Sequence, residues 1–271
     1  MEKTLRLPDR FKTLWYFSKA PSLHDKLSVI GFFLKRLFNV RADDELKAKI
    51  DPNNLIINFV PSQGELRPYN DIFLNAGFDR YPDFAPENCG VVFDCGANIG
   101  LFTLRAALNR KTEVFSFEPN PAVFKRLLKN IDENMLDKVR PLQAAVGSAC
   151  KKAVFTSAAS SPTGKIQAEG SVDKDSSVSV EMLTLDSIVD RFALSSIDLI
   201  KLDVEGNEYE ALLGAERALK ITGRIVLEYH GKELRQKCGA LLKSKGFEMV
   251  HEIPGYQFYL NRDHTQSIKR D

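Results

Sequence analysis

The chain has 271 residues, 44% of them hydrophobic and 27% charged, with a formal net charge of +2. That length holds one full α/β domain plus an extension. The near-neutral balance excludes the global basic field that marks many nucleic-acid binders. Cys89, Cys95, Cys150 and Cys238 form no CxxC pair and show no metal-ligand spacing, so reduced thiols and a cytoplasmic location are expected, with Cys95 buried in an apolar strand.

From Met1 to Arg41 nine Lys/Arg stand against three Asp/Glu, interleaved with Phe11, Trp15, Tyr16 and Phe17. No run reaches the ~18 apolar residues of a membrane span, and the start lacks the apolar core and cleavage site of a signal peptide. A helical arm packed on the following domain is expected here. Peripheral contact with a membrane or glycolipid is the alternative that the same amphipathic pattern allows. Prolines at 52, 61, 68, 82 and 86 punctuate short apolar pieces, so residues 1–86 read as an N-terminal extension.

Beyond Cys89 short apolar strands alternate with amphipathic helices. Strands are predicted over 91–95, 113–118, 139–146, 196–204, 223–230, 247–253 and 256–260, with helices over 99–109, 121–134, 207–219 and 232–245. Pro121 suits a first helical turn, and Pro254-Gly255 predicts a closing hairpin with an antiparallel strand at that edge. The alternation implies an α/β, doubly wound, mostly parallel seven-stranded sheet over 87–262, followed by a polar tail at 263–271. Ser148 to Ser179 breaks the rhythm, being rich in Ser, Gly, Ala and Lys, and reads as an inserted mobile loop or hairpin.

Asp94-Cys95-Gly96-Ala97-Asn98-Ile99-Gly100 follows the first apolar strand and opens a helix. Gly96 and Gly100 permit a tight turn and close approach of a ligand, and the helix start beyond suits a carboxylate or phosphate. Asp94, at the strand end, is placed to accept from an ammonium group, so a ligand carrying both amine and carboxylate, such as the methionine part of S-adenosylmethionine, fits. The second strand ends in Phe117-Glu118-Pro119-Asn120, where Glu118 is placed to bind both ribose hydroxyls. Dinucleotide enzymes use G-x-G-x-x-G, whereas three residues separate Gly96 from Gly100 and no third glycine follows.

The segments FDCGANIGLFTL (93–104), FEPNP (117–121), AAVGS (144–148), TLDSI (184–188) and IKLDVEGNEYEALLGA (200–215) resemble the FkbM family of methyltransferases, over roughly Asp71 to Leu260. The resemblance implies a class I, Rossmann-like methyltransferase fold, S-adenosylmethionine as cofactor, and O-methylation of a sugar or polyketide-type small molecule. It assigns Asp94, Gly96, Ala97, Asn98, Gly100, Glu118, Pro119, Asn120 and Ala145 to the cofactor.

Strand alternation places Lys201, Asp203 and Glu205 on one face of the fourth strand, and Glu228 and His230 on one face of the next. Three charges on a central strand are costly unless they pair or line a cavity. Methyl transfer to oxygen requires an aligned hydroxyl and removal of its proton. Asp203, Glu205 and His230 are the candidate bases and Lys201 the charge holder, with no metal expected because Lys201 shares the face. Glu208 is expected to favour the positive end of the next helix. The partner is expected to be a small hydroxylated acceptor rather than a nucleic acid, since neither an NPPY motif nor a Pro-Cys pair occurs. A nucleic-acid or protein methyltransferase, or a non-catalytic cofactor-binding scaffold, remains the alternative.

Overall fold

The computed structural model describes residues 45–50, 55–60, 65–69, 72–73, 80–157, 164–167 and 177–262. The arm expected over Met1 to Arg41 and the tail at 263–271 lie outside them. The chain divides into two compact units, Met1–Arg80 and Tyr81–Asp271. In the first, β1 (Leu46–Ile50) and β2 (Leu55–Phe59) form an antiparallel hairpin with Leu46 opposite Phe59. Phe59 stacks on Tyr69 at 5.5 Å between ring centroids, and the Glu65 carboxylate accepts from the Val60 amide at 2.6 Å.

The second unit is built on a seven-stranded sheet. Its strands are β3 (Val91–Cys95), β4 (Glu113–Phe117), β5 (Val139–Leu142), β10 (Ile197–Leu202), β11 (Thr222–Glu228), β12 (Phe247–Ile253) and β13 (Tyr256–Asn261), in the order β12-β13-β11-β10-β3-β4-β5. β13 runs antiparallel to both its neighbours, and the β5-to-β11 pairings are parallel. The antiparallel strand is therefore one in from the edge, clasped between β11 and β12. The order reverses between β10 and β3, where doubly wound sheets bind ligands at the carboxyl ends of their strands. Phe93, Phe115, Ile200, Leu202, Ile225 and Leu227 are buried in one core with helices on one face, and Val92, Val114, Leu199 and Val226 are buried on the other, as strands covered on both faces require.

Helices α1 (Leu101–Ala106), α2 (Pro121–Glu133), α3 (Leu185–Phe192), α4 (Glu208–Leu213), α5 (Glu216–Lys220) and α6 (Lys232–Ser244) cover it. At α2 the Asn120 side chain caps the Ala122 amide at 3.0 Å with Pro121 in the first turn. Thr184 caps α3 in the same way, accepting from Ser187 at 3.1 Å. The predicted helix over 207–219 is interrupted, because the Gly214 carbonyl turns to accept from the Asp186 amide at 3.1 Å. The helix predicted from Ile99 starts two residues later and ends at Ala106.

The strand predicted over 139–146 also breaks. Val139–Leu142 stays in the main sheet, while Ala144–Val146, as β6, enters a second sheet with β7 (Lys151–Ser157), β8 (Gly164–Gln167) and β9 (Ser177–Leu183), in the order β6-β9-β7-β8. The Ser/Gly-rich insert thus folds into strands where it is described. Ala153 and Phe155 on β7, and Val180 and Met182 on β9, alternate onto one face and bury a small core with Ala145 and Ile166. An average composition hides that period-two pattern.

Candidate active site

The turn after β3 is fastened to the end of β4. The Phe117 carbonyl accepts from Gly96 and Ala97 at 3.0 and 2.8 Å. Gly96 has φ +82°, and a side chain there would strike the Asp203 carbonyl, so glycine is needed both for the turn and for the close approach of the β10 end. Asn98, at φ 52°, donates its amide to Glu118 Oε2 at 3.0 Å, and the Asn120 amide reaches Oε1 at 2.8 Å. Glu118 is therefore aimed by two backbone groups, each oxygen keeping a lone pair for a further donor. Burial pushes its carboxyl up to about 7 against the pull of the Asn120 and Asn98 amides.

One cleft runs from this turn to the end of β10. Gly96, Asn98, Phe117, Glu118 and Pro119 line one part, Asp203, Val204, Glu205 and Asn207 another, and Ala144, Ala145, Val146, Phe155, Gly164 and Ile166 of the second sheet a third. Gly96, Asn98, Glu118, Pro119 and Ala145 of the predicted cofactor set thus share a cavity. Asp94, Ala97, Gly100 and Asn120 do not line it. Asp94 is wholly buried, and its partners are protein groups: Thr103 Oγ1 donates to Oδ2 at 2.7 Å and Lys201 Nζ lies 3.4 Å from Oδ1. Its Oδ1 makes no hydrogen bond among the described residues. Gly100 is packed under Leu127, and Asn120 serves as the α2 cap.

Lys201 is buried between Asp203 Oδ2, at 3.2 Å, and Asp94, and also donates to the Gly96 carbonyl at 3.2 Å. Burial alone would lower its ammonium, but Asp203, Asp94 and Glu228 outweigh that and hold it above the ordinary lysine value. The strand predicted to reach Val204 ends at Leu202, as the Asp203 amide makes its bond to the Cys95 carbonyl at 3.0 Å and the chain then turns. Glu205 has φ 54° and Gly206 φ 104°, so Glu205 stands on a loop, not on the alternating strand face. His230 likewise lies beyond β11, which ends at Glu228.

These loops nonetheless bring the charged residues together. Donor atoms of Asp203, Glu228 and His230 lie within 4.8 Å of one another. His230 Nε2 is 3.3 Å from Glu205 Oε2, and its Nδ1 is 2.8 Å from Glu208 Oε1. The Glu208 bond, opposed by burial and helped by the charges of Glu208, Glu205 and Asp203, raises the imidazole to about 9. Burial and the Asp203 charge raise Glu228 to about 7, against the Tyr256 hydroxyl and Lys201; Tyr256 faces Glu228 across the β11–β13 register.

Several of these residues escape the sequence. Glu208 opens α4 as expected, but it is wholly buried behind the cluster, which a place in a first helical turn did not foretell. Tyr256 arrives from the hairpin, and Phe155 and Ile166 from the insert. For Glu208 the signal was available, as a carboxylate three residues after Glu205 in a glycine turn; for the others only the fold supplies the neighbourhood.

A doubly wound sheet with a glycine turn after its first strand, an acid ending the second, and an open cleft at the order reversal is the class I methyltransferase architecture. The chain belongs to the family of the Methyltransferase FkbM domain, which its residues 94–260 match, and it is an S-adenosylmethionine-dependent methyltransferase. It is 32% identical to the hexuronic acid methyltransferase AglP of Haloferax volcanii, over 53% of this chain and 57% of that protein. It is 28% identical to the methyltransferase sdnD of Sordaria araneosa, over 68% and 82%. It is 29% identical to the 2-O-methyltransferase NoeI of Sinorhizobium fredii, over 60% and 74%. Among solved structures it is similar to TYW2 of M. jannaschii in complex with AdoMet, with TM-score 0.41 and 16% identity over 80% of this chain and 84% of that one.

Proposed function

We propose that this chain transfers the methyl group of S-adenosylmethionine to a hydroxyl of a small sugar-type or polyketide-type acceptor, without help from a metal. The observation that carries this is the single cleft joining Glu118 and Pro119 to Asp203 and Glu205. Glu118, oriented by two amides, takes the ribose hydroxyls, with Gly96, Asn98, Pro119 and Ala145 around the adenosyl group. Bound S-adenosylmethionine supplies an already activated methyl group, so the protein's task is alignment and proton removal. Asp203, Glu205 and His230 stand at the acceptor end, and Lys201 offsets the carboxylates there. The names of the hexuronic acid and 2-O-methyltransferase relatives support a sugar hydroxyl as acceptor. The four free cysteines agree with a reducing cytoplasm. The basic, aromatic arm from Met1 to Arg41 suits contact with a glycolipid or membrane surface.

Calorimetry is expected to show adenosylhomocysteine binding and no NAD binding; the reverse overturns the cofactor assignment. Transfer of labelled methyl to a panel of hydroxylated sugars, glycolipids and polyketides then identifies the acceptor class. Lys201 places a positive charge against Asp203, where a cation would otherwise sit, so EDTA is expected to leave turnover unchanged. Loss restored by Mg²⁺ would make Asp203, Glu228 and His230 ligands instead.

A further inference from the structure

We infer that Glu208 and His230 are positioning residues that hold Glu205 as the proton acceptor for the substrate hydroxyl. This rests on the proposed methyl transfer and narrows its base to one residue. Glu205 lines the cleft, whereas His230 and Glu208 do not. Its carboxylate hangs from a residue at φ 54° between Val204 and Gly206, a conformation that non-glycine residues adopt only when the surroundings impose it. The imposing group is Glu208. Its Oε1 accepts from the Gly206 amide at 3.0 Å and the Val204 amide at 3.3 Å, the two amides flanking Glu205, and from His230 Nδ1 at 2.8 Å. His230 then presents Nε2 to Glu205 Oε2 at 3.3 Å. One wholly buried carboxylate thus fixes the base from behind twice, through its backbone and through the imidazole against its side chain.

Asp203 is the rival base; each carboxylate has a cation beside it, but that of Asp203 is the buried Lys201 at 3.2 Å, whereas that of Glu205 is the more exposed His230 at 3.3 Å. In the step, the acceptor's O–H proton passes to the Glu205 carboxylate and its oxygen bonds the methyl carbon. The electron pair of the broken C–S bond stays on sulfur, and the proton then leaves to water. The groups facing His230 are Glu208 from α4, Glu205 and Asp203 from the loop after β10, and Glu228 from β11. Cys238 of α6 faces Glu208 from behind, and burial keeps its thiol neutral by pushing it up to about 12. The charged groups named here around the imidazole are carboxylates, and His230 is the cation that links them at neutral pH.

The test combines turnover with two readouts that need none. His230→Ala is expected to lower kcat 10- to 100-fold while adenosylhomocysteine affinity stays within a few fold. Glu205→Gln should lower kcat by about 10² or more, the lower end of what a positioned base contributes. Proton NMR of the ligand-free protein should show the His230 imidazole titrating near 9. In Glu208→Gln that midpoint should move down, and the alkaline fall of kcat should move down with it. The inference is overturned if His230→Ala keeps native kcat, or if Glu208→Gln lowers the imidazole midpoint and leaves the alkaline limb in place. Should Glu208→Gln fail to bind adenosylhomocysteine, the surface-accessible His230 substitution decides alone. A native chain that binds adenosylhomocysteine but methylates no hydroxylated acceptor fails the underlying reading instead.

Discussion

His230 holds its proton into the alkaline range, and the sign of that shift dictates how the ligand-free fold answers pH. Its value of about 9 lies above the ordinary imidazole value near 6.5. A group raised on folding contributes stability that is complete below its unfolded value and is lost as pH climbs through the folded one. Glu118 and Glu228, both raised to about 7, weaken the fold as pH rises from about 4.5 toward 7 and have finished by the time His230 titrates. The thermal midpoint of the ligand-free protein should therefore fall between about pH 7 and 9, and His230→Gln should flatten that interval. An unchanged slope in the variant would show that the imidazole is not paired as described. At the cofactor end, Glu118→Ala should weaken adenosylhomocysteine binding by about 1.5–3 kcal/mol, the scale of a hydrogen bond to a charged group. Unchanged affinity by calorimetry would remove Glu118 from the ribose site. The residues legible in the sequence were those whose backbone is a motif, as at Gly96 and Glu118. The burial of Asp94 against Thr103 and Lys201 was not legible, because a strand-end carboxylate can face ligand or protein and only the neighbouring strand supplies Lys201.

At the scale of elements, the second sheet matters most. Phe155 of β7 and Ile166 of β8 line the same cleft as Glu118 and Pro119, and Gly164 has no room for a side chain between the Phe155 ring and the Thr156 carbonyl. A ring so placed suits the flat, apolar face of an adenine. Phe155→Ala should weaken adenosylhomocysteine binding several-fold while the seven-stranded sheet keeps its far-ultraviolet signature; native affinity would assign that wall to the acceptor. The main strands were legible because strands buried on both faces read as apolar runs between helical periods. The strand over 139–146 was not divided that way, since its break is the single exposed Gln143 between Leu142 and Ala144, and one polar residue in an apolar run reads as ordinary alternation. The insert was hidden for the opposite reason, its alternation being diluted by serine and lysine. Glu205 was placed on a strand face by a period that stops at Leu202; its partners were right while the geometry that brings them together was not.

At the scale of the whole molecule, the chain divides into two units. Every cleft residue from Gly96 to Asn207 belongs to the unit Tyr81–Asp271, which also holds all seven strands of the main sheet. The first unit has its own hairpin and its own buried residues, Leu55, Ile57 and Tyr69. Among the described residues no helix is long and apolar enough to cross a membrane. A domain with its own core and a complete ligand cleft binds its ligand without the extension. A chain running from Tyr81 to Asp271 should therefore bind adenosylhomocysteine within a few fold of the full chain, by calorimetry on protein shown to be folded by a cooperative melt. Its transfer of methyl to a lipid-borne acceptor should fall, because the basic, aromatic arm that suits such a surface has been removed. Removing only Met1 to Arg41 separates the arm from the hairpin unit. If that shorter cut reproduces the loss with a glycolipid but not with a free sugar, the arm recruits a lipid-borne acceptor. If both truncations transfer methyl at the native rate, the acceptor is bound entirely by the methyltransferase domain. Loss of adenosylhomocysteine binding in the folded 81–271 chain would show that the extension completes the cofactor site.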